Sequence, residues 1–186
     1  VTSNAWRWIP NALTLVRIVL IAPFAKALLV QEYWFALAIF VIAALTDGLD
    51  GFLARHFNWR SRFGAVADPL ADKALMVVAY LLLTYTAVLP VWLCLLVLGR
   101  DVLIVGGALV YHYRIGRFEM APSLPGKLNT VLQMLFILGV MVVLAGAPVQ
   151  PIWLEAGLWL VATSTIYSGC HYVAIWGSRA WRSRQS

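Results

Sequence analysis

Six apolar runs divide the chain, at roughly 12–30, 33–54, 65–84, 90–111, 127–146 and 152–176. Each is close to the 20 or so residues that an α-helix needs to cross a bilayer. Short polar connections separate them: Gln31-Glu32, Arg55 to Phe63, Thr84 to Pro90, Tyr113 to Gly126, and Gly146 to Pro151. Lipid tolerates only helices or closed barrels, and no ten-residue stretches of alternating polarity suggest a barrel. The expectation is an all-α polytopic membrane protein with six transmembrane helices, forming one domain over residues 1–186.

The basic residues orient those spans. The first, third and fifth connections contain no Lys or Arg. The second holds Arg55, Arg60 and Arg62, and the fourth holds Arg114 and Arg117 with Lys127 at its edge. Arg7 lies before the first run, and Arg179, Arg182 and Arg184 follow the last. Because cytoplasmic loops carry the excess of Lys and Arg, both termini and the two even loops are expected in the cytoplasm. Trp6, Trp8, Trp34, Trp59, Trp153, Trp176 and Trp181 fall near run ends, as an interfacial aromatic belt does. Arg7 and the first run resemble a signal peptide with Ala25-Lys26-Ala27 as its cleavage site. Cleavage there would discard Asn11, Thr14 and Arg17, so the run is read as a resident helix.

Composition agrees with the pattern. Of 186 residues, 62% are apolar and 12% are charged, against about 45–50% and about 25% in soluble domains. Mean hydropathy is +0.84. The net charge of +6 does not imply nucleic acid, because the basic residues lie between apolar runs rather than in one patch. Cys94 and Cys170 sit inside apolar runs and read as small packing residues, not as a disulfide framework.

The candidate chemistry is acidic. Four of the eight acidic residues fall between positions 47 and 72. Asp47 and Asp50 are three apart near the end of the second run, and Asp68 and Asp72 are four apart at the start of the third. Those spacings put each pair on one helix face, and the short basic loop makes the two helices antiparallel neighbours. Four unpaired carboxylates at the membrane would repel strongly. A hard divalent cation with oxygen ligands, Mg²⁺, Mn²⁺ or Ca²⁺, relieves this. The plainer alternative is that the aspartates pair with Arg55, Lys73 or Arg100. Asp47 precedes Arg55 by eight residues, about 12 Å at the helical rise, which puts the cluster near headgroup level. A cation-coupled transporter, the other function class, would be expected to carry its charges nearer the midplane. Small residues at Gly48, Gly51, Ala54 and Gly64 leave room beside the carboxylates, and Arg55 supplies a fork suited to phosphate.

Asp47-Gly48-Leu49-Asp50-Gly51-Phe52-Leu53-Ala54-Arg55, followed by Gly64, Asp68 and Asp72, resembles the signature of the CDP-alcohol phosphatidyltransferases. Pro10-Asn11-Ala12-Leu13-Thr14-Leu15-Val16-Arg17 is similar to that family's first-helix start, and Asp68-Pro69-Leu70-Ala71-Asp72-Lys73 to its third. The resemblance implies a six-helix, usually dimeric enzyme that transfers a phosphatidyl group from CDP-diacylglycerol to an alcohol and releases CMP. It implies that Asp47, Asp50, Asp68 and Asp72 hold one or two Mg²⁺ or Mn²⁺ ions, with Asp72 also the general base. Gly51, Ala54, Arg55 and Gly64 would line the CDP slot with Asp47 and Asp68. Direct attack by the acceptor fits the lack of an obvious Ser–His or Cys–His nucleophile; His56, His112 and His171 read as interfacial or packing residues.

The acceptor has to be read from the later runs. Arg100-Asp101 lies within the fourth, either as an anion site or as a structural ion pair, and Lys127 opens the fifth behind Pro125. The glycerol 3-phosphate branch of the family typically has Arg-Glu at Arg100-Asp101, and a second Arg at the position of Ala108. A phosphate monoester, with nearly two charges, would be expected to want that second cation. Gly106-Gly107-Ala108 suits a phosphodiester with acyl chains better. Tyr111, Tyr113 and Arg114, Lys127 to Thr130 with Gln133, and Ser168-Gly169-Cys170-His171-Tyr172 resemble the eukaryotic-type cardiolipin synthase branch. The expected acceptor is therefore phosphatidylglycerol, with glycerol 3-phosphate as the alternative. The expected setting is a homodimer in a bacterial inner membrane, with its active site at the cytoplasmic face.

Overall fold

The computed structural model describes residues 9–56, 64–114 and 123–182, and side chains at 12, 14–46, 73–107 and 123–175. Six helices make up these residues: α1 Ile9–Leu29, α2 Tyr33–His56, α3 Gly64–Tyr85, α4 Val91–Arg114, α5 Leu124–Leu144 and α6 Pro151–Arg182. There is no strand among the described residues. The helices coincide with the apolar runs at their apolar ends and outrun them at their polar ends. α6 continues to Arg182, because backbone hydrogen bonding does not stop where hydropathy does.

The helix ends explain the tight odd-numbered connections. α1, α3 and α5 each close with the same pair of backbone bonds. Glu32 N–H donates to the Ala27 carbonyl and Gln31 N–H to Leu28; Val88 does so to Leu83 and Ala87 to Thr84; Ala147 to Val142 and Gly146 to Val143. This is the Schellman pattern, which needs a left-handed residue at its turn. Gln31 (φ 62°), Ala87 (φ 58°) and Gly146 (φ 98°) supply it. Prolines open the next helices: Pro151 starts α6, and Pro90 stands before α4, where a missing N–H costs nothing. At α5, Ser123 caps the helix, its Oγ accepting from Gly126 N–H at 3.2 Å.

The chain divides into two compact units. One comprises residues 1–88 and 137–148, the other 89–136 and 149–186, so α5 contributes its second half to the first and its first half to the second. In the first unit α1 packs on both α2 and α3. Ala27, Ala36, Ala43 and Ala79 are buried at these faces beside Phe24, Leu28, Phe40, Leu75 and Leu83. Small residues let apolar helices approach closely, the usual packing device between helices in lipid. In the second unit α4 packs on α6. Trp92 stacks on Trp159 at 5.7 Å and Arg100 bonds Ser168. The offsets of 67 and 68 residues are nearly constant, so these two helices run parallel and in register.

Large apolar side chains face outward on every helix, among them Val19, Trp34, Leu81, Leu95, Leu128 and Ile166. The buried set includes Thr14, Arg17, Arg100, Asn129, Gln133, Thr165 and Ser168. Apolar side chains thus lie both inside and outside, with a few polar ones inside, unlike the soluble pattern. By length and composition α5 alone among the described residues meets the criterion for a membrane span, with shorter apolar stretches at Tyr33–Thr46 and Lys73–Tyr85. Trp34 and Trp153, near the starts of α2 and α6, are exposed as an interfacial belt requires; the other belt tryptophans lie outside the described side chains.

Candidate active site

The acidic cluster falls at the α2–α3 junction. The helical backbone runs unbroken through Asp47 and Asp50 in α2 and through Asp68 and Asp72 in α3. Each pair therefore shares a helix face. The side chains of Asp47, Asp50, Gly51, Ala54, Arg55, Gly64, Asp68 and Asp72 lie outside the described ones, as do those of His56 and His112. Carboxylate oxygens are the donor type that a hard divalent cation prefers. Among the described residues no group of three or more His, Cys, Asp or Glu comes together.

What the structure adds to this region is Arg17. Thr14, Arg17, Phe24 and Leu28 form one stripe along α1 and are all buried, Arg17 completely so. Phe24 meets Phe40 of α2 with ring centroids 5.9 Å apart. Arg17 lies seven residues before Phe24, and Asp47 lies seven after Phe40. In an antiparallel pair, two turns each way return to one level and one face. The register thus sets Arg17 level with Asp47, and Thr14 level with Asp50. In the sequence, Arg17 figures in the stretch similar to the family's first-helix start and in the argument for a resident first helix, not as a site residue. The signal was available: a lone Arg inside an apolar run either faces the protein interior or is unaffordable.

In the second unit Arg100, one of the two predicted acceptor residues, belongs to a polar cluster. Arg100 is 8% exposed. Its Nη1 donates to Asp101 Oδ1 at 2.8 Å and its Nη2 to Ser168 Oγ at 2.8 Å. Its guanidinium carbon lies 5.8 Å from the Tyr172 ring centroid, within cation–π range. The Tyr172 hydroxyl in turn accepts from Ser123 N–H at 3.3 Å. A Cβ at Gly126 would come within 2.9 Å of that hydroxyl, so a larger residue there would have to displace the end of the Tyr172 side chain. Lys127, the next residue, is exposed. Tyr172 thus joins Arg100 to the start of α5 at Ser123. The ion pair with Asp101 exists, and Arg100 has bonds beyond it.

One layer away, α5 and α6 are joined by side-chain bonds. Ser164 and Thr165 hydroxyls both donate to Asn129 Oδ1, at 2.8 and 3.0 Å, and Gln133 Nε2 donates to Thr165 Oγ1 at 3.2 Å. Ser168, Tyr172, Thr165 and Asn129 were not among the predicted site residues, although polar residues repeating at helical spacing inside apolar runs mark such a seam. His171 packs beside the rings of Tyr167 and Tyr172, as a packing residue does. Cys94 is buried, Cys170 exposed, and both are free thiols.

A sequence model of the CDP-alcohol phosphatidyltransferase family matches residues 7–167. The chain belongs to that family. It is 33% identical over 151 residues to a Homo sapiens protein named cardiolipin synthase (CMP-forming), covering 73% of this chain and 50% of that one. It is 34% identical over 185 residues to a Drosophila melanogaster protein named probable cardiolipin synthase (CMP-forming), covering 86% and 56%. It is also 36% identical over 180 residues to the Escherichia coli K12 CDP-diacylglycerol–glycerol-3-phosphate 3-phosphatidyltransferase, covering 89% and 93%. The chain thus spans about half the length of the human and fly relatives. As a CDP-alcohol phosphatidyltransferase it carries the matched span across both compact units, from α1 to Tyr167. Ser168 and Tyr172, which hold Arg100, lie just beyond that span.

Proposed function

We propose that the protein is a cardiolipin synthase: CDP-diacylglycerol plus phosphatidylglycerol gives cardiolipin plus CMP. The observation that carries this choice of acceptor is the mostly apolar wall between α4 and α6, in which Arg100, paired with Asp101, is the charged lining residue. A phosphodiester carries one charge and brings hydrocarbon with it, which is the chemistry such a wall accepts. The names of the human and fly relatives support the same reading. The second reading, phosphatidylglycerophosphate synthesis from glycerol 3-phosphate, is favoured by the near full-length alignment with the E. coli enzyme.

In this proposal Asp47, Asp50, Asp68 and Asp72 would hold a divalent cation, Mg²⁺ or Mn²⁺, and the chemistry such an ion would supply there is charge neutralisation of the diphosphate and of the leaving CMP. Gly51, Ala54, Arg55 and Gly64, with Asp47 and Asp68, bind and orient the CDP group. Asp72 takes the proton of the acceptor hydroxyl as its oxygen forms the new P–O bond and the bond to CMP breaks. Arg100 and Lys127 bind the acceptor. The helix lengths, the outward apolar side chains and the basic even loops support six spans with both termini cytoplasmic. The family match across both units supports a single functional domain. A membrane setting and a homodimer rest on the family resemblance.

The test is an acceptor comparison. Purified protein with CDP-diacylglycerol and Mg²⁺ is offered phosphatidylglycerol or glycerol 3-phosphate, and the products are identified by mass. Cardiolipin from the first alone is the expected result. Phosphatidylglycerophosphate from the second alone would overturn the acceptor while keeping the reaction type. Activity that survives chelation of divalent cations would overturn the role given to the four aspartates.

A further inference from the structure

Tyr172 of α6 reaches both α4 and the start of α5. It stands one helical turn after Ser168, so the two share a face of α6. Ser168 Oγ accepts from Arg100 Nη2 at 2.8 Å. The Tyr172 ring lies 5.8 Å from the same guanidinium, which is also paired with Asp101. The far end of the ring meets α5. There the hydroxyl accepts from Ser123 N–H at 3.3 Å, and it occupies the space that a side chain at the buried Gly126 would take. A Cβ at Gly126 would lie 2.9 Å from the hydroxyl oxygen and 3.2 Å from a ring carbon.

A helix N-terminus with unpaired N–H groups can bind an anion, but the start of α5 is largely satisfied from within the protein. Gly126 N–H donates to Ser123 Oγ at 3.2 Å, Lys127 N–H to the Ser123 carbonyl at 3.1 Å, and Ser123 N–H to Tyr172. Pro125 has no N–H to give. What this helix end offers an anionic acceptor is chiefly the ammonium of Lys127, which is exposed. Its place depends on the turn beneath it: the Lys127 backbone hangs on Ser123, and Ser123 on Tyr172. We propose that Tyr172 is a positioning residue of the acceptor site. Its hydroxyl sets where α5 begins, and with it the point from which Lys127 reaches the anionic headgroup. The proposal rests on the reading above that Lys127 binds the acceptor, and it adds a residue beyond the span that the family model matches. Tyr172 acts through Ser123 and Lys127 and touches no reacting atom. Phenylalanine at this position keeps the ring against Arg100 and loses only the hydroxyl at Ser123, so the effect on α5 is separable from packing.

The full chain in detergent micelles is assayed for cardiolipin formation with CDP-diacylglycerol and Mg²⁺. Tyr172→Phe is expected to raise KM for phosphatidylglycerol about 5-fold, the worth of one hydrogen bond, with kcat and KM for CDP-diacylglycerol near wild type. Gly126→Ala is expected to raise the same KM, and to raise it less in the Tyr172→Phe background, where the hydroxyl it would displace is gone. An unchanged KM for phosphatidylglycerol in Tyr172→Phe would overturn the proposal. Parallel loss in kcat and in both KM values, the mark of a merely structural role, would overturn it too. A second readout needs no turnover. Acylation of Lys127 by an amine reagent is followed by mass spectrometry, with the exposed Lys26 of α1 as reference. Phosphatidylglycerol is expected to protect Lys127, and Tyr172→Phe to need about 5-fold more lipid for the same protection. Equal protection in the two proteins would overturn the proposal. The same pair of measurements with glycerol 3-phosphate separates the failures. A Tyr172→Phe shift for glycerol 3-phosphate in place of phosphatidylglycerol overturns the acceptor reading and keeps Tyr172. Normal cardiolipin formation with no shift for either acceptor keeps the reading and removes Tyr172. No protection of Lys127 by either one removes Lys127 from the site, and the proposal with it.

Discussion

The two compact units differ in how much polar side chain they bury beside their apolar residues. In the first, α1 meets α2 and α3 through alanines, leucines and a phenylalanine pair, with Thr14 and Arg17 as the polar members of the buried stripe. In the second, Arg100, Asn129, Gln133, Thr165 and Ser168 are all buried, and hydrogen bonds join α4 to α6 and α5 to α6. Between helices in lipid, apolar burial gains little, because acyl chains are as apolar as leucine. The first unit therefore depends on close fit. The second depends on bonds whose geometry is specific, and that specificity is what holds a guanidinium in place beside a groove.

The largest expected effect lies in the proposed chemistry at the α2–α3 junction. Asp72→Asn should lower CMP release by about 10³-fold or more while CDP binding is largely kept, read by turnover and by nucleotide binding on the same preparation. Near-normal turnover would remove Asp72 as the base. Next is Arg17, the exception in the apolar unit. Arg17→Ala should destabilise the protein by about 3 kcal/mol, the usual cost of breaking a buried charged network, measured by thermal unfolding in detergent. A change under about 1 kcal/mol would mean that the first unit is held by packing alone.

The second unit yields smaller numbers. Ser168→Ala removes one hydrogen bond to a charged group, worth about 1.5–3 kcal/mol. It should raise KM for the acceptor more than it lowers kcat, and Ser168→Thr should restore part of it. Equal loss in kcat and kcat/KM would instead make the bond part of the transition state. The helix ends offer a gain: Ala87→Gly should stabilise by about 1 kcal/mol, since alanine there is left-handed at φ 58°. Smallest is the pair of Gln133 and Thr165, whose coupling in a double-mutant cycle should be about 0.6 kcal/mol. A coupling above about 2 kcal/mol would show the polar seam to be stronger than its bonds taken singly.

Much of this was legible in the chain. Apolar runs located all six helices, because the length needed to cross a bilayer leaves a long, nearly uninterrupted signature. Asp47, Asp50, Asp68 and Asp72 stood out because ionisable residues are expensive near lipid and their spacing is helical. Arg100 and Lys127 stood out for the same reason. Arg17, Ser168 and Tyr172 did not. Each is one residue in an apolar run, and its importance depends on what lies across from it.

The sequence by itself determined the class of protein, the helices of the described residues to within their polar ends and the kind of chemistry, because these follow from local composition and from spacing along one helix. Tertiary structure decided the rest. That Arg17 is level with Asp47 follows from the seating of Phe24 on Phe40. That Arg100 is held by Ser168 and Tyr172 follows from α4 and α6 running parallel in one register. Which faces meet depends on side-chain fit between segments dozens of residues apart, and no periodicity within a single segment carries that information.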